Sequence, residues 1–398
     1  MPQSNQKPFF ENLDALRFFA FLTVFVSHSV LFLGFSGGNA TYLWLKKYVL
    51  TSGDLGVSFF FVLSGFLITY LLLTEKESSP RADLGGINIK SFYIRRILRI
   101  WPVYFAVVIL GFFVIPHIFS DFTHTLPFGI SARMSDLKYY ASFLANFRMA
   151  SVGATSLVLA VLWSISVEEQ FYLVWPWVVS FLPKKNLWRI FLFFSAVVAA
   201  SFIYKFLHAY NYEVLKYSTF SAVSDLSIGA TLAYFAFSSN KFKNWITKLP
   251  RFKIVFIYLE TLAFICFRGY ISLFLAHLSN PNWYALYMSA EPLIFSILFA
   301  LIIAEQNWSE NSFYKAKNFK LPSHLGRRSY GLYSYHMIAF LITAVIATSF
   351  GLSFPYSSPI IFITCIASAF ILTASLAELS YKYMEKKVLR LKSRFQGE

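Results

Sequence analysis

Charged side chains are scarce in this 398-residue chain: 14% of its residues are Asp, Glu, Lys or Arg, whereas 57% are hydrophobic and 20% aromatic. A water-soluble domain is nearer half apolar and a quarter charged, so the chain lacks the polar residues needed to cover a water-facing surface. Cysteine is almost absent. Cys266 and Cys365 both fall in apolar runs, which excludes a disulfide scaffold and predicts two unpaired thiols. No Cys/His spacing suggests zinc or another metal. The chain also lacks an internal repeat, a phosphate-binding glycine loop, a low-complexity segment and any connector long enough for a soluble domain. A single membrane-embedded domain over residues 1–398 is therefore expected. The first apolar run starts too late, and its flanks are wrong, for a cleaved signal peptide with a small-residue processing site, so it is expected to be retained.

What is present is a succession of apolar runs, each long enough to cross a hydrocarbon core about 30 Å thick. They cover 14–34, 54–73, 98–116, 156–182, 188–206, 218–237, 254–274, 286–304, 329–350 and 357–380. The fold class that follows is all-α, a polytopic transmembrane helix bundle of about ten spans. The longest connector, about 117–155, has aromatic and apolar residues of its own and is expected to lie along the membrane surface.

The net charge of +16 is compatible with nucleic acid, but the positions of the bases argue against it. With the N-terminus in the cytoplasm, 27 of the 35 Lys and Arg residues fall on that side: in the N-terminal arm, loop 74–99, turn 183–189, loops 239–253 and 305–328, and the tail. The other eight are Lys46, Lys47, Arg133, Lys138, Arg148, Lys205, Lys216 and Arg268. An asymmetry renewed at every second loop is what the positive-inside rule requires. Both termini are thus cytoplasmic, the span number is even, and the charge sets topology while attracting anionic membrane lipids.

Polar groups inside spans are costly and usually face a protein or water cavity, so they are the candidates for chemistry. In Leu13-Asp14-Ala15-Leu16-Arg17, Arg17 stands eleven residues before His28. Eleven helical steps return to nearly the same face about 16 Å along the axis, aiming both side chains into one groove; the bland alternative is a histidine bonded to a carbonyl and an arginine reaching for the interface. Ser64-Gly65 lies near mid-membrane in the second span, as helix packing or as a substrate contact. Arg95, Arg96 and Arg99 open the third span. Arg96 and Arg99 are neighbours at i, i+3, a fork suited to phosphate, although a basic cluster that only sets topology has the same look. In the fourth span Trp163-Ser164-Ile165-Ser166-Val167-Glu168-Glu169-Gln170-Phe171-Tyr172 places two carboxylates at mid-membrane, with Glu168 and Tyr172 sharing a face. A helix running in from the far side brings Glu168 to about the depth of His28, where a carboxylate can set the imidazole tautomer; a salt bridge that merely locks helices is the alternative. Asp225 with Gly229, and Tyr330, Tyr333 and His336, are less sharp, and His336 reads equally well as an interfacial structural histidine.

Taken in order, these segments resemble the acyltransferase-3 family of membrane-bound acyltransferases. The matching stretches are Leu13–Arg17 with His28, Phe59–Phe66 ending Ser-Gly-Phe, Arg95–Pro102, Leu162-Trp163-Ser164 leading to Glu168–Tyr172, Ser329–His336, and Glu385 near the basic tail. One departure is Val223-Ser224-Asp225, where the family often has an arginine before the aspartate. The resemblance implies transfer of an acyl group, usually acetyl, from a cytoplasmic acyl-coenzyme A co-substrate to a hydroxyl of a cell-surface carbohydrate or related glycoside, with no tightly bound cofactor, in a bacterial inner membrane. Arg17, Arg95, Arg96 and Arg99 would hold the nucleotide. His28 suits a general base or an acyl carrier, with Glu168 or Glu169 orienting it, and Asp14, Ser64, Ser164, Tyr172, Tyr330 and His336 in supporting or substrate-contacting places. A transporter or flippase for a lipid-linked or amphiphilic molecule is the rival from another class, and a non-catalytic sensor or scaffold is a second. No Gly/Pro-interrupted spans in matching halves speak for transport.

Overall fold

The computed structural model describes residues 10–36, 38, 40–50, 52–78, 86–120, 129, 132–183, 186–352, 356 and 358–390. Of the bases that set the topology, Lys7, Arg81, Lys184, Lys185, Lys392 and Arg394 lie outside these residues. Among the described residues ten long helices form: α1 (Asn12–Phe32), α2 (Gly53–Ser78), α3 (Ile89–Ile118), α4 (Leu162–Phe181), α5 (Leu187–Leu207), α6 (Tyr212–Ser238), α7 (Arg251–Ala276), α8 (Pro281–Trp308), α9 (Ser329–Ser349) and α10 (Pro359–Arg390). Among the described residues, nine are long and apolar enough to cross a membrane. The tenth, α4, is 20 residues long and carries Glu168, Glu169 and Gln170 in its middle. The chain is an integral membrane protein with an all-α bundle and no strand among the described residues.

Helix starts follow local capping more closely than hydropathy. The apolar run predicts a third span from 98, yet α3 begins at Ile89, because Asn88 Oδ1 accepts the Ser91 N–H at 2.9 Å and ends the helix with a satisfied donor. Its first turns carry Lys90, Arg95 and Arg96, which a hydropathy window rejects. The fourth run behaves in the opposite way. Residues 153–161 are non-helical, and Val158 and Leu159 are fully buried among protein, the condition under which irregular backbone survives at membrane depth. Gly111 of α3 makes room for them: a Cβ there would press into the Leu159 side chain.

Close packing sets the centre of the bundle. A Cβ on Gly65 of α2 would collide with the Leu226 carbonyl of α6, and one on Gly229 would collide with the Val62 carbonyl. The two glycines thus bring these helices to backbone contact. At the basic end, buried Lys76 donates from α2 to the carbonyls of Val179 (2.9 Å), Ser180 (2.7 Å) and Leu182 (2.9 Å). It satisfies the last carbonyls of α4 and pins that end to α2. α9 is the innermost helix, with 83% of its apolar window buried, whereas α7 has 17% and shows its apolar side chains to lipid.

The connector expected along the membrane surface packs into the bundle where it is described. Asn146, fully buried on the short helix Ala145–Val152, donates to the Tyr217 carbonyl (3.2 Å) and Thr219 Oγ1 (2.9 Å) of α6. Gln170 of α4 reaches the same knot, donating to the Phe143 carbonyl (2.7 Å) and Asn146 Oδ1 (2.8 Å). Phe143 has φ +56°, a left-handed conformation unusual for an aromatic residue, and its tether to Gln170 holds the turn in place.

Candidate active site

Two cavities meet in the middle of the bundle. The one toward the basic end has a volume of about 110 Å³ and is lined by Arg17, Arg96, Arg99, Ser64, Glu168, Tyr172 and Tyr330, among others. The one toward the far side is larger, about 480 Å³, and holds His28, Asp54, Lys205, Lys216, Asp225, Arg268 and Glu291. Val57, Phe61 and Tyr333 line both. Arg17 and His28 do share a face of α1, as their spacing predicts, but this septum divides the groove between them.

The narrow cavity is cationic. Arg17 is paired with Asp14 at 3.0 Å. Among the described residues neither Arg96 nor Arg99 has a carboxylate within salt-bridge distance. The Arg96 guanidinium lies 5.5 Å from the ring centres of both Phe92 and Tyr172, and its Nε is buried without a hydrogen-bond partner. Arg95 faces elsewhere: it pairs with Glu75 at 3.0 Å and does not line the cavity. Glu168 accepts from Ser64 Oγ at 2.7 Å and from the Tyr172 hydroxyl at 3.1 Å. Ser64 therefore faces the cavity while Gly65 serves packing. Tyr330 donates its hydroxyl to the Ile100 carbonyl at 2.8 Å.

His28 does not meet a glutamate. Its Nδ1 lies 2.8 Å from Nε2 of His336, with the two rings within 3° of parallel, and His336 Nδ1 lies 2.6 Å from the Tyr333 carbonyl oxygen. Glu168 is absent from the His28 cavity because α4 starts late. Val161 and Trp163 line that cavity, and Glu168, about six residues further along, is roughly 9 Å deeper toward the basic end. Glu169 accepts from Trp101 Nε1 at 3.2 Å and also leaves the imidazole alone. His336 is fully buried, not interfacial. The helix Lys320–Gly326 is seated against the Asp14 backbone, so α9 begins well inside the protein. Ser164 shares a 2.8 Å hydrogen bond with the Tyr333 hydroxyl at the septum.

Several polar groups of the wide cavity escape the motif reading. Arg268 of α7 holds Asp54 through two hydrogen bonds, at 2.6 and 3.1 Å, and Glu291 of α8 at 2.6 Å. Asp225 accepts from Ser58 (2.8 Å) and Ser296 (2.7 Å). Lys205 of α5 donates to Ser224 Oγ at 2.8 Å, beside Asp225. A cation thus stands near Asp225, brought by the neighbouring helix α5. The signal available in the sequence was an ionisable residue inside an apolar run, as at Lys205 and Glu291, but it names no partner. Among the described residues no group of His, Cys, Asp or Glu is arranged to hold a metal ion.

A family model described as an acyltransferase domain matches residues 10–378. A Staphylococcus aureus (strain COL) protein, provisionally named an O-acetyltransferase, is 31% identical over 384 residues, which cover 94% of this chain and 56% of that protein. The peptidoglycan O-acetyltransferase OatA of Listeria monocytogenes is 28% identical over 95% of this chain and 55% of its own length. The O-acetyltransferase OatA of Staphylococcus aureus (strain NCTC 8325) is 27% identical over 94% and 56%. The chain therefore spans little more than half the length of these curated relatives. No solved structure matches it.

Proposed function

The chain belongs to the acyltransferase-3 family, and we propose that it moves an acyl group, acetyl by analogy with its relatives' names, from acyl-coenzyme A to a hydroxyl of a surface glycan or related glycoside. The observation that carries this reading is the junction of two unlike cavities. The narrow one suits a thin, polyanionic donor, with Arg96 and Arg99 free to meet phosphate oxygens. The wide one is large enough for a sugar ring and presents His28. The donor thioester would approach the septum at Tyr333 from the basic end, while the acceptor hydroxyl lies against His28.

In this mechanism the acceptor oxygen attacks the thioester carbon as His28 Nε2 takes its proton. The carbon–sulfur bond of the tetrahedral adduct then breaks. The leaving thiolate recovers the proton from His28, giving the ester and free coenzyme A. Ser164 and Tyr333 hydroxyls stand where a developing oxyanion can be met, and Glu168 shapes the donor cavity through Ser64 and Tyr172 instead of orienting the base. A positioned base is worth on the order of 100- to 10,000-fold in rate. Detergent-purified protein incubated with labelled acetyl-coenzyme A and a glycan acceptor tests the reading. Wild type should form labelled ester, and His28→Ala should bind donor normally but lose at least about 100-fold in turnover. Full turnover by His28→Ala removes the base assignment; failure of wild type to bind or consume any acyl-coenzyme A removes the donor, and a transport assay then takes its place.

A further inference from the structure

The imidazole of His28 is held by a second imidazole, and the donor–acceptor sequence of that pair can be read from a single fixed point. The Tyr333 carbonyl can only accept. His336 Nδ1, 2.6 Å away, must therefore carry a proton and donate it. Nothing ionic supports a second proton on His336. Its ring is surrounded by Phe21, Phe25 and Phe340, with centroids 5.9, 6.5 and 5.9 Å away, and neither histidine has a carboxylate partner among the described residues. A neutral His336 protonated at Nδ1 offers a bare lone pair at Nε2. The 2.8 Å contact is then a hydrogen bond from His28 Nδ1–H to His336 Nε2, which leaves His28 Nε2 as the unprotonated atom of the imidazole that lines the wide cavity.

We propose that His336 is the positioning residue that fixes the tautomer and ring plane of His28, so that the nitrogen presented to the acceptor is always the basic one. This rests on the reading of His28 as the general base. The reverse arrangement, with His336 Nε2–H donating to His28 Nδ1, requires a charged His336 in the aromatic box. It also places the remaining proton on His28 Nε2, where it blocks base catalysis. An Asp or Glu in the same place would fix the tautomer equally well but would add a formal negative charge within the membrane; the second imidazole avoids that cost. During turnover His28 Nε2 gains the acceptor's proton. Its Nδ1–H remains on the His336 lone pair, so the positive charge is shared between two coplanar rings. The proton returns to the leaving thiolate from Nε2, and His336 ends unchanged.

The test compares His336→Leu with His336→Gln in the full chain. Leucine fills a similar volume and has no polar atom. Glutamine can accept from His28 Nδ1–H through its carbonyl and donate to the Tyr333 carbonyl through its amide. His336→Leu should lower kcat about 100-fold with the donor KM unchanged, and His336→Gln should regain most of that loss. A residue needed only for packing gives the reverse order, with leucine tolerated as well as or better than glutamine, and that result overturns the proposal. If both variants fail to accumulate as folded protein, nitrogen-15 NMR of wild-type His28 decides: a protonated Nδ1 and bare Nε2 support the assignment, and the opposite tautomer sinks it. Inactivity of His28→Ala with full activity of His336→Leu removes this proposal alone, whereas activity of His28→Ala removes the base reading beneath it.

Discussion

The two cavities solve opposite electrostatic problems within one bundle. In the narrow cavity, among the described residues, Arg96 and Arg99 have no carboxylate within salt-bridge distance, and Arg17, Arg96 and Arg99 outnumber the single lining carboxylate, Glu168, so positive charge is in excess there. In the wide cavity three cations, Lys205, Lys216 and Arg268, stand among three carboxylates, Asp54, Asp225 and Glu291, and most of that charge is spent internally. A cation without a carboxylate partner attracts a polyanion; a balanced network instead supplies hydrogen bonds without selecting for charge. The difference matches a phosphate-bearing donor on one side and a hydroxyl-rich acceptor on the other. It also teaches that counting bases in a membrane protein is less informative than asking which of them lack a partner.

Three substitutions test this contrast. Lys205→Met leaves Asp225 buried without its neighbouring cation, at a cost of about 3–5 kcal/mol. Its thermal unfolding midpoint in detergent should fall sharply, Lys205→Arg should recover much of the loss, and donor affinity of the surviving folded fraction should stay intact. An unchanged midpoint would mean that the wide cavity is not electrostatically balanced as described. Arg99→Ala should weaken coenzyme A binding about 10- to 100-fold, the range of a lost charged hydrogen bond, measured by equilibrium binding; unchanged affinity would place the phosphates elsewhere. Arg95→Ala should be nearly silent in the same assay, within about twofold, because its partner Glu75 is partly exposed and such pairs are worth about 0–1 kcal/mol. If Arg95 mattered as much as Arg99, the division drawn between an arginine that lines the cavity and one paired with Glu75 outside it would fail.

Much of the bundle was legible before any tertiary contact was known. Nine spans stand out because a run of apolar side chains has no other place to be, and the basic loops order them. α4 was located by its motif more than by its hydropathy, and its true start at Leu162, six residues beyond the expected one, was not visible. The apolar residues 156–161 satisfy a hydropathy window whether they are helical or buried as irregular chain. That displacement is why Glu168 was expected beside His28 and lies instead with Ser64 and Tyr172. Arg96 and Arg99, neighbours at i, i+3, both line the narrow cavity, whereas Arg95 pairs with Glu75. His336 was noticed, but nothing local distinguishes a buried histidine at the core of α9 from an interfacial one two turns inside a helix.

The sequence alone establishes that this chain lives in a membrane and that ionisable residues at Arg17, His28, Glu168 and Asp225 stand where membrane depth makes them expensive, and its basic loops predict which end faces the cytoplasm. These follow from short-range rules: hydropathy over a span, charge over a loop, helical phase over eleven residues. Only the tertiary structure decided which of those groups meet. His28 and His336 are 308 residues apart, Lys205 and Ser224 lie on different helices, and Ser64 reaches Glu168 across 104 positions. Each meeting depends on where a helix begins and how deeply it seats, through Gly65 and Gly229 at the centre, the non-helical segment 153–161 before α4, and the Lys320–Gly326 helix pressed on Asp14. An α-helix advances 1.5 Å per residue, so a shift of a few residues in a helix start moves a side chain out of hydrogen-bonding range, and that offset is set by packing between helices, not by any one of them.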